Sequence, residues 1–304
     1  MVDVTSAPGS QPSPSSRPPF LAAERIKRAV SSLGWTFLSI ALFAAIWELC
    51  WFFGISDPKL LPPPHVFLGS IPEQAQYFNT ATRWAVGVAQ SEAPSGLRSV
   101  GITIFATMTR VIVGLAIAFT LAVSLGVLIR YNKLFERLTM PTIMLLSAVS
   151  PIAWLPVAVF LLGIGNGPAI FMVVIALFFH MVIATVTNID NVPKNFIHVA
   201  RTMGASKRQV YGRVIIPAIL PPMLMVLRLN LFGAWMVVLV AETTGVGYGL
   251  GQIIMLARNT FNPPLVFFTI FLIGSLGFLT DYALRQVQRR ILYWLPEKGE
   301  GHAL

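Results

Sequence analysis

The stretch GITIFATMTRVIVGLAIAFTLAVSLGVLI, residues 101–129, decides the class of this protein. Its only charged residue is Arg110. At roughly 1.5 Å per residue, a helix of this length would measure about 43 Å. The hydrocarbon core of a bilayer is about 30 Å thick. The stretch therefore predicts a helix that crosses a membrane.

Five further runs have the same apolar character. They lie near residues 34–55, 138–162, 168–188, 218–241 and 264–284. The whole chain of 304 residues is 55% hydrophobic and only 11% charged, whereas soluble domains carry about 25% charged residues. This composition excludes a water-soluble globule. It predicts an all-α polytopic membrane protein with six transmembrane helices.

The two ends of the chain differ from this apolar part. Residues 1–19 are rich in Ser, Pro and Gly and hold too little apolar surface to offset the entropy of ordering, so we expect a disordered tail. Residues 20–295 form the expected transmembrane domain, and residues 296–304 form a C-terminal tail. No cleavable signal sequence fits the first apolar run, which we expect to be retained as a span.

Basic residues are distributed unevenly between the loops. If the N-terminus is cytoplasmic, 16 of the 22 Lys and Arg residues lie in inside segments, four lie outside, and Arg110 and Arg228 lie within spans. The positive-inside rule then predicts that both termini face the cytoplasm. The net charge of +10 is therefore interpreted as a topology signal, and no nucleic-acid partner is expected.

The third run is interrupted by Pro151 and Pro156, and proline removes a helix hydrogen bond. Within a membrane, unpaired backbone is tolerated only beside protein or a water-filled path. A broken span that lines the pathway and a kinked helix packed in a bundle are both compatible with this pattern. The candidate pathway residues are Ser150, Pro151, Trp154, Pro156, Arg228, Trp235 and Glu242.

Ionisable residues inside apolar runs usually face a partner or a wet cavity. By their depth, Glu48 and Arg110 could pair with each other. Arg228 could attract an anion or simply tie its span to a neighbour. These structural and pathway roles both remain open.

A polar segment, Asn188 to Pro217, separates the fourth and fifth runs and is cytoplasmic by the charge count. From Phe196 it reads FIHVARTMGASKRQVYGRVIIPAILP. A short helix is predicted to end at Gly204, which suits the left-handed position after a helix. Ser206 with Gln209 fits the capping box of a second helix.

The first of these helices has a small apolar face. Ile197, Ala200 and Met203 or Gly204 follow one another at helical spacing, next to basic residues such as Arg201. The result is predicted to be an apolar knob with a basic flank. Such a knob suits a groove on a partner protein.

This segment resembles the cytoplasmic coupling motif of ATP-binding-cassette (ABC) import permeases: Glu-Ala-Ala, three residues, Gly, nine residues, Ile, one residue, Leu-Pro. Ala200, Gly204 and Pro217 match the motif by identity, and His198 stands at its acidic position. The resemblance implies that this segment couples to an ATPase. The implied ATPase-coupling residues are Ile197, His198, Val199, Ala200, Arg201, Met203, Gly204, Ala205, Ser206 and Pro217.

Further resemblance, from about Leu61 to Leu292, is to the permeases for nitrate, sulfonates, taurine and bicarbonate. Its pieces include the sequences LPPP, PIAWLP and LRL, Glu242 before GYGLG, and Asp281 before Arg285. The resemblance implies a type I ABC importer permease fold with a cytoplasmic coupling helix. It also implies a bacterial inner-membrane location, a second copy of the chain, two cytoplasmic ATPase subunits and an extracytoplasmic substrate-binding protein.

The chain holds no GxxxxGK[ST] phosphate loop, so ATP with magnesium is expected in the partner subunits and no cofactor in this chain. Its single cysteine, Cys50, excludes an intrachain disulfide, and no metal site or enzymatic cluster is apparent. The predicted function is the permease subunit of an ATP-driven importer of a small anion such as nitrate, bicarbonate or a sulfonate. Alternatives are a gradient-driven transporter and an ABC importer of an aromatic acid or vitamin precursor. Homodimer and heterodimer both remain open.

Overall fold

The computed structural model describes residues 19–54, 57, 60–86, 96–245 and 247–293. Both predicted tails lie outside these residues, except that Pro19 already begins a helix. Every regular element in the described part of the chain is helical, as predicted. The helices are α1 Pro19–Phe52, α2 Pro64–Gly69, α3 Ile71–Val86, α4 Leu97–Tyr131, α5 Lys133–Ser147, α6 Leu155–Leu162, α7 Asn166–Asp190, α8 Lys194–Thr202, α9 Lys207–Val210, α10 Ile216–Gly245, α11 Leu250–Asn259 and α12 Pro263–Ile291.

The chain divides after Pro64 into two units. Helix α1 belongs to the first unit, and its apolar stretch Leu38–Phe52 is shorter than a full span. In the second unit, four helices are long and apolar enough to cross a membrane. They are Leu97–Tyr131, Asn166–Asp190, Lys207–Thr244 and Pro263–Ile291, the third of which includes α9 and α10. A fifth span results if α5 and α6 are counted together.

The predicted third span, residues 138–162, is not one continuous helix. Helix α5 ends at Ser147, and α5 and the segment Pro151–Leu162 are bent by 99°. Pro151 begins a short 3-10 helix and Pro156 lies in the first turn of α6, so neither proline removes an interior hydrogen bond. The broken form is therefore present rather than the kinked one, and the break falls just before the prolines.

Helix α7 forms the centre of the second unit. More than half of its most apolar window is buried, against one third in the other three spanning helices. Small residues on α4 allow close approach: a Cβ added to Gly114 would lie 2.7 Å from Val173, and one added to Gly126 would lie 2.6 Å from the Cβ of Thr185. Such small-residue contacts are the usual means of packing helices in a membrane. Helix α10 also packs against α7.

The coupling segment is built on one end of this helix pair. Buried apolar residues at the end of α7 and the start of α10 form a separate small core that also includes residues between α8 and α10. Its members are Ile189, Val192, Val210, Ile215, Ile219 and Met223. Ile197 and Ala200 of α8 and Val210 of α9 pack in or against this core, which joins both short helices to the two long ones.

Candidate functional site: a coupling segment and two ion-pair networks

The helix–turn–helix predicted for the coupling segment is confirmed. Helix α8 ends at Thr202, and Gly204 has a φ of 81°. The amide of Gly204 donates to the carbonyl of Arg201 at 2.9 Å, and that of Ala205 donates to the carbonyl of Ala200 at 3.0 Å. These two bonds define a Schellman ending, which requires the left-handed conformation that glycine adopts without strain.

The second helix of the segment begins with the predicted capping box. The hydroxyl of Ser206 accepts from the amide of Gln209 at 3.4 Å, and the Gln209 side chain accepts from the amide of Ser206 at 2.8 Å. A π-helical turn, Tyr211–Ile215, then leads into α10. Pro217 lies at the start of α10, where it has no amide hydrogen to donate to the previous turn.

The apolar face of α8 differs from the predicted one. Ile197 and Ala200 are only partly exposed and pack against the small core below them. The exposed apolar side chains are Phe196, Val199 and Met203, which are 58%, 59% and 83% exposed. The prediction that Ile197 and Ala200 form the outward knob was therefore wrong, because the tertiary core takes that face. The three exposed residues are called the coupling patch below.

The other predicted coupling residues surround this patch. His198 and Arg201 are exposed, and Arg201 lines a cavity on the other side of α8. Ala205 packs against the small core, and Ser206 serves as the cap of α9. The segment thus presents apolar groups on one side and basic groups on the other.

Candidate pathway residue Glu242 lies in a buried ion pair. Its Oε1 is 2.5 Å from Nη1 of Arg110, and the two side chains are 0% and 2% exposed. The same oxygen accepts from the hydroxyl of Thr107 at 2.8 Å, and Oε2 accepts from the amide of Gly251 at 2.9 Å. Arg110 Nε also donates to Asn166 Oδ1 at 2.8 Å. The network therefore joins α4, α7, α10 and α11.

The glycine-rich turn after α10 closes over this pair. Arg110 Nη1 donates to the carbonyl of Tyr248 at 3.0 Å, and its guanidinium lies 4.2 Å from the centre of the Tyr248 ring. A Cβ at Gly249 would overlap the carboxylate of Glu242, and one at Gly251 would overlap the carbonyl oxygen of Leu239. Close approach to Glu242 and Leu239 therefore requires glycine at both positions.

Arg228 lies in a second network, in which the arginine is more exposed than Arg110. Its Nε donates to Asp281 Oδ1 at 2.6 Å and its Nη2 to Oδ2 at 3.2 Å, and Arg285 also donates to Asp281. Trp235, another candidate pathway residue, donates from its indole nitrogen to the hydroxyl of Thr280 at 3.1 Å. Both contacts join α10 to α12. Of the two roles left open for Arg228, the structure contains the tie to a neighbouring helix.

The remaining candidate pathway residues lie at the break between α5 and α6. Ser150 and Pro156 are exposed, whereas Pro151 and Trp154 are half-buried. Trp154 packs against the main apolar core. The four residues are thus brought together at the break but are not in contact with the Arg228 or Glu242 networks through any hydrogen bond found in the described residues.

Sequence reasoning missed the partner of Arg110. Glu242 follows Arg110 by 132 residues, and the sequence interpretation connected Arg110 with Glu48 instead. The available signal was that Arg110 lies within an apolar run and Glu242 directly follows another, and ionisable groups in such places usually pair. Within the described residues, no group of three His, Cys, Asp or Glu side chains is placed to hold a metal ion.

Comparison with known proteins gives a family. Residues 111–293 match the family described as binding-protein-dependent transport system inner membrane component. A probable ABC transporter permease protein of Brucella melitensis is 32% identical over 63% of this chain and 78% of its own length. The nitrate import permease protein of Synechocystis is 31% identical over 60% of this chain and 67% of its own length. The taurine transport system permease protein of Escherichia coli is 27% identical, over 85% and 89%.

Solved structures agree on the fold. The inward-facing MetNI methionine ABC transporter has a chain that superposes with a TM-score of 0.57 at 19% identity, over 63% of this chain and 95% of the other. The chain under study therefore belongs to the binding-protein-dependent transport system inner membrane components. The resemblance to ABC import permeases that the sequence showed is confirmed.

Proposed function

We propose that this chain forms the solute pathway of an ATP-driven importer and couples it, through α8, to a cytoplasmic ATPase subunit. Two copies of the chain would build one pathway, with two ATPases on the cytoplasmic side and an extracytoplasmic binding protein that delivers the solute. ATP and magnesium would be bound in the ATPases. Both termini would face the cytoplasm, as the distribution of basic residues indicates.

The coupling patch is the observation that carries this proposal. Phe196, Val199 and Met203 expose apolar surface on a nine-residue helix that stands at the end of the long helices α7 and α10. Exposed apolar groups on a helix suit insertion into a groove of a partner. Because Ile197 and Ala200 hold the same helix to the small core, movement of the partner would be passed to α7 and α10.

The proposed cargo is a small anion. One relative that supports it is named for import of nitrate, and others are named for transport of taurine, aliphatic sulfonates and bicarbonate. Nitrate, sulfonates and bicarbonate are anions, and taurine carries a sulfonate group. The proposed pathway passes the break at Ser150–Trp154, where non-helical backbone is tolerated if it lines a cavity. Arg228 is proposed to act as a tie between α10 and α12, because Asp281 occupies its guanidinium.

The test uses recovery of the ATPase. The chain is co-expressed with its candidate ATPase and purified by a tag on the chain, and the recovered ATP hydrolysis is compared with that of Val199→Asp. Placing a charge in a desolvated contact costs several kcal/mol, so recovery should fall at least about tenfold. Phe261→Asp is the matched control, because Phe261 is 92% exposed and lies between α11 and α12, at the opposite end of α10 from the patch.

The outcomes separate the alternatives. Loss of ATPase with Val199→Asp and retention with Phe261→Asp support coupling through α8. Equal recovery in both variants would move the coupling contact elsewhere. If the unaltered chain retains no ATPase and uptake follows an ion gradient, the protein is a gradient-driven transporter. Competition among nitrate, taurine and bicarbonate in the reconstituted importer then tests the cargo, and preference for an uncharged aromatic solute would contradict it.

A further inference from the structure

A polar pocket of about 370 Å³ lies behind α8, on the side away from the coupling patch. Its walls come from the end of α4, the start of α5, the end of α7, and α8 and α9. Five basic and two acidic side chains line it, which leaves a net charge of +3. The basic residues are Arg130, Lys133, Lys194, Arg201 and Lys207. The set is called the basic pocket below.

The acidic residues of the pocket are already engaged. Arg130 Nε donates to Asp190 Oδ1 at 2.7 Å, and the guanidinium also pairs with Glu136. Lys207 contacts Tyr131 instead. Its Nζ lies 2.5 Å from the backbone carbonyl oxygen of Tyr131 and 4.2 Å from the centre of the Tyr131 ring. These contacts fix the shape of the pocket and leave an excess of positive charge.

Three other basic residues of the pocket have no acidic partner among the described residues that balances their charge. Lys133, Lys194 and Arg201 form no ion pair with any acidic side chain in the part of the chain that the structure describes. They come from α5 and α8 and converge on one cavity. Convergent, unneutralised cations favour an anionic ligand with several oxygen acceptors, such as a phosphate ester.

The level of the pocket favours a lipid over a soluble anion. Arg130 lies in the last turn of the spanning helix α4, and Asp190 is the last residue of α7, so the pocket lies at one end of two spanning helices, where contact with phospholipid headgroups is expected. Basic pockets between spanning helices on the cytoplasmic side bind such headgroups. The inference uses the orientation given under the proposed function, in which this end is cytoplasmic.

Helix α5 also offers a surface for acyl chains. Leu134, Leu138 and Leu145 are 67%, 67% and 68% exposed and share one face of α5. The pocket residues Lys133 and Glu136 lie on another side of the same helix, so acyl chains of a lipid held in the pocket would pass around the start of α5 to reach this face.

We propose that the basic pocket binds the phosphate headgroup of an anionic phospholipid, whose acyl chains lie along α5. The bound lipid bridges the α4–α5 connection to α8 and so sets the position of the coupling segment. Lys133 and Lys194 are the residues through which the headgroup joins the two sides. Arg130, Glu136 and Asp190 act as the fixed frame of the site.

The test measures lipid binding by the full-length chain, purified in mild detergent and freed of native lipid. Native mass spectrometry follows the binding of phosphatidylglycerol, with phosphatidylcholine of the same acyl chains as the neutral probe. At about 1 kcal/mol per basic residue, Lys133→Gln/Lys194→Gln should weaken the first phosphatidylglycerol roughly thirtyfold, since a factor of ten corresponds to about 1.4 kcal/mol. Lys194→Gln alone should weaken it roughly fivefold.

Arg289→Gln/Arg290→Gln is the matched control, because it removes two exposed basic residues from the last turn of α12, away from the pocket. This control should bind phosphatidylglycerol as the unaltered chain does, and all variants should bind phosphatidylcholine equally. Equal weakening in control and pocket variants would overturn the proposal in favour of general attraction. Displacement of the lipid by millimolar glycerol phosphate would instead assign the pocket to a soluble anion.

A protein occupant is also distinguishable. If Lys133→Gln/Lys194→Gln leaves lipid binding unchanged but abolishes ATPase recovery, the pocket receives an acidic segment of the ATPase and the lipid proposal is overturned. Because the lipid measurement needs neither ATPase nor transport, its failure would leave the proposed import function untouched. Failure of ATPase recovery in the unaltered chain would likewise leave the lipid result standing.

Discussion

Helix α10 carries two ion pairs that differ in how deeply their arginine side chains are buried. Near its end, Glu242 pairs with Arg110, and both side chains are almost fully buried. In its first half, Arg228 pairs with Asp281, but the Arg228 side chain is 35% exposed. The first pair is enclosed by the Gly247–Gly251 turn, whereas the second adjoins a cavity of about 410 Å³.

This difference indicates how rigidly each end of α10 is held. The buried pair is held by further hydrogen bonds from Thr107 and Gly251 to Glu242 and from Arg110 to Asn166. Breaking it would leave a charge unpaired in a medium of low dielectric constant, so it favours one geometry. In the second pair Asp281 is only 5% exposed, but the more exposed Arg228 side chain can change its contacts at a lower cost. We therefore expect the Glu242 end to move as one body with α4 and α11, and the Arg228 region to tolerate rearrangement between α10 and α12.

The largest expected effect is that of Glu242→Ala. The change leaves the Arg110 guanidinium buried without its carboxylate, which typically costs about 3–5 kcal/mol. The midpoint of thermal unfolding in detergent should fall sharply, and much of the chain should be lost from the monodisperse peak in size-exclusion chromatography. Glu242→Gln should recover part of the loss, since the amide oxygen can still accept from Arg110.

The control replaces both charges. Arg110→Met/Glu242→Leu removes the pair without stranding either partner, so it should be clearly less destabilising than the sum of the two single changes. Additive losses would show that the two residues act independently. The comparison between the two ends of α10 would then rest on burial alone.

The turn that encloses the buried pair gives the second prediction. In Gly251→Ala the new methyl group overlaps the carbonyl oxygen of Leu239 and lies 2.9 Å from Cβ of Glu242, so α11 must shift away from α10. Overpacking of this kind costs about 1–3 kcal/mol. The unfolding midpoint should report the loss.

Gly247→Ala is the comparison for this change. Gly247 has a φ of 81° but has open space around its Cβ position, so it should lose only about 1 kcal/mol from backbone strain. If the two alanine variants were equally stable, close packing of α11 on Glu242 would not be what holds this end of α10 together.

The third prediction concerns the more exposed pair, Arg228 and Asp281. Arg228→Gln leaves Asp281 with Arg285 as a remaining partner, so we expect a loss of roughly 1–2 kcal/mol, between the values for exposed and buried pairs. Uptake in reconstituted vesicles, corrected for the amount of protein, should keep its preference among anions. A changed anion preference would contradict the role as a tie and place Arg228 in the pathway.

Local signals in the sequence were enough to predict the coupling segment. The glycine that ends α8 and the Ser206–Gln209 capping box act within a few residues of each other, so their pattern is readable without the rest of the fold. The side of α8 that faces outward was not readable. From the sequence, Ile197 and Ala200 were reasonable candidates for an exposed knob. In the structure they face inward because they pack against the small core at the ends of α7 and α10.

Ion pairs between residues far apart in the sequence could not be predicted either. Arg110 and Glu242 are separated by 132 residues, and Arg228 and Asp281 by 53, so no spacing rule connects them. Four of the six apolar runs coincide with helices long enough to span, because membrane-spanning length is a property of each run by itself, but the predicted count of six spans is not confirmed. The break before Pro151 could be suspected from the prolines, whereas the 99° angle results from packing between helices.

The smallest expected effect is that of Ser206→Ala in the coupling segment, which we expect to be held less rigidly than either end of α10. The change removes the acceptor for the Gln209 amide, and losing such a cap costs about 1 kcal/mol. Because α9 has only four residues, the loss should appear as faster hydrogen exchange at Lys207–Val210, with little change in the unfolding midpoint. Ser147→Ala, which removes only a side-chain bond to the carbonyl of Met144, should leave that exchange unchanged. Faster exchange extending into α7 and α10 would instead mean that the cap supports the small core and that α8 moves with the long helices even at rest.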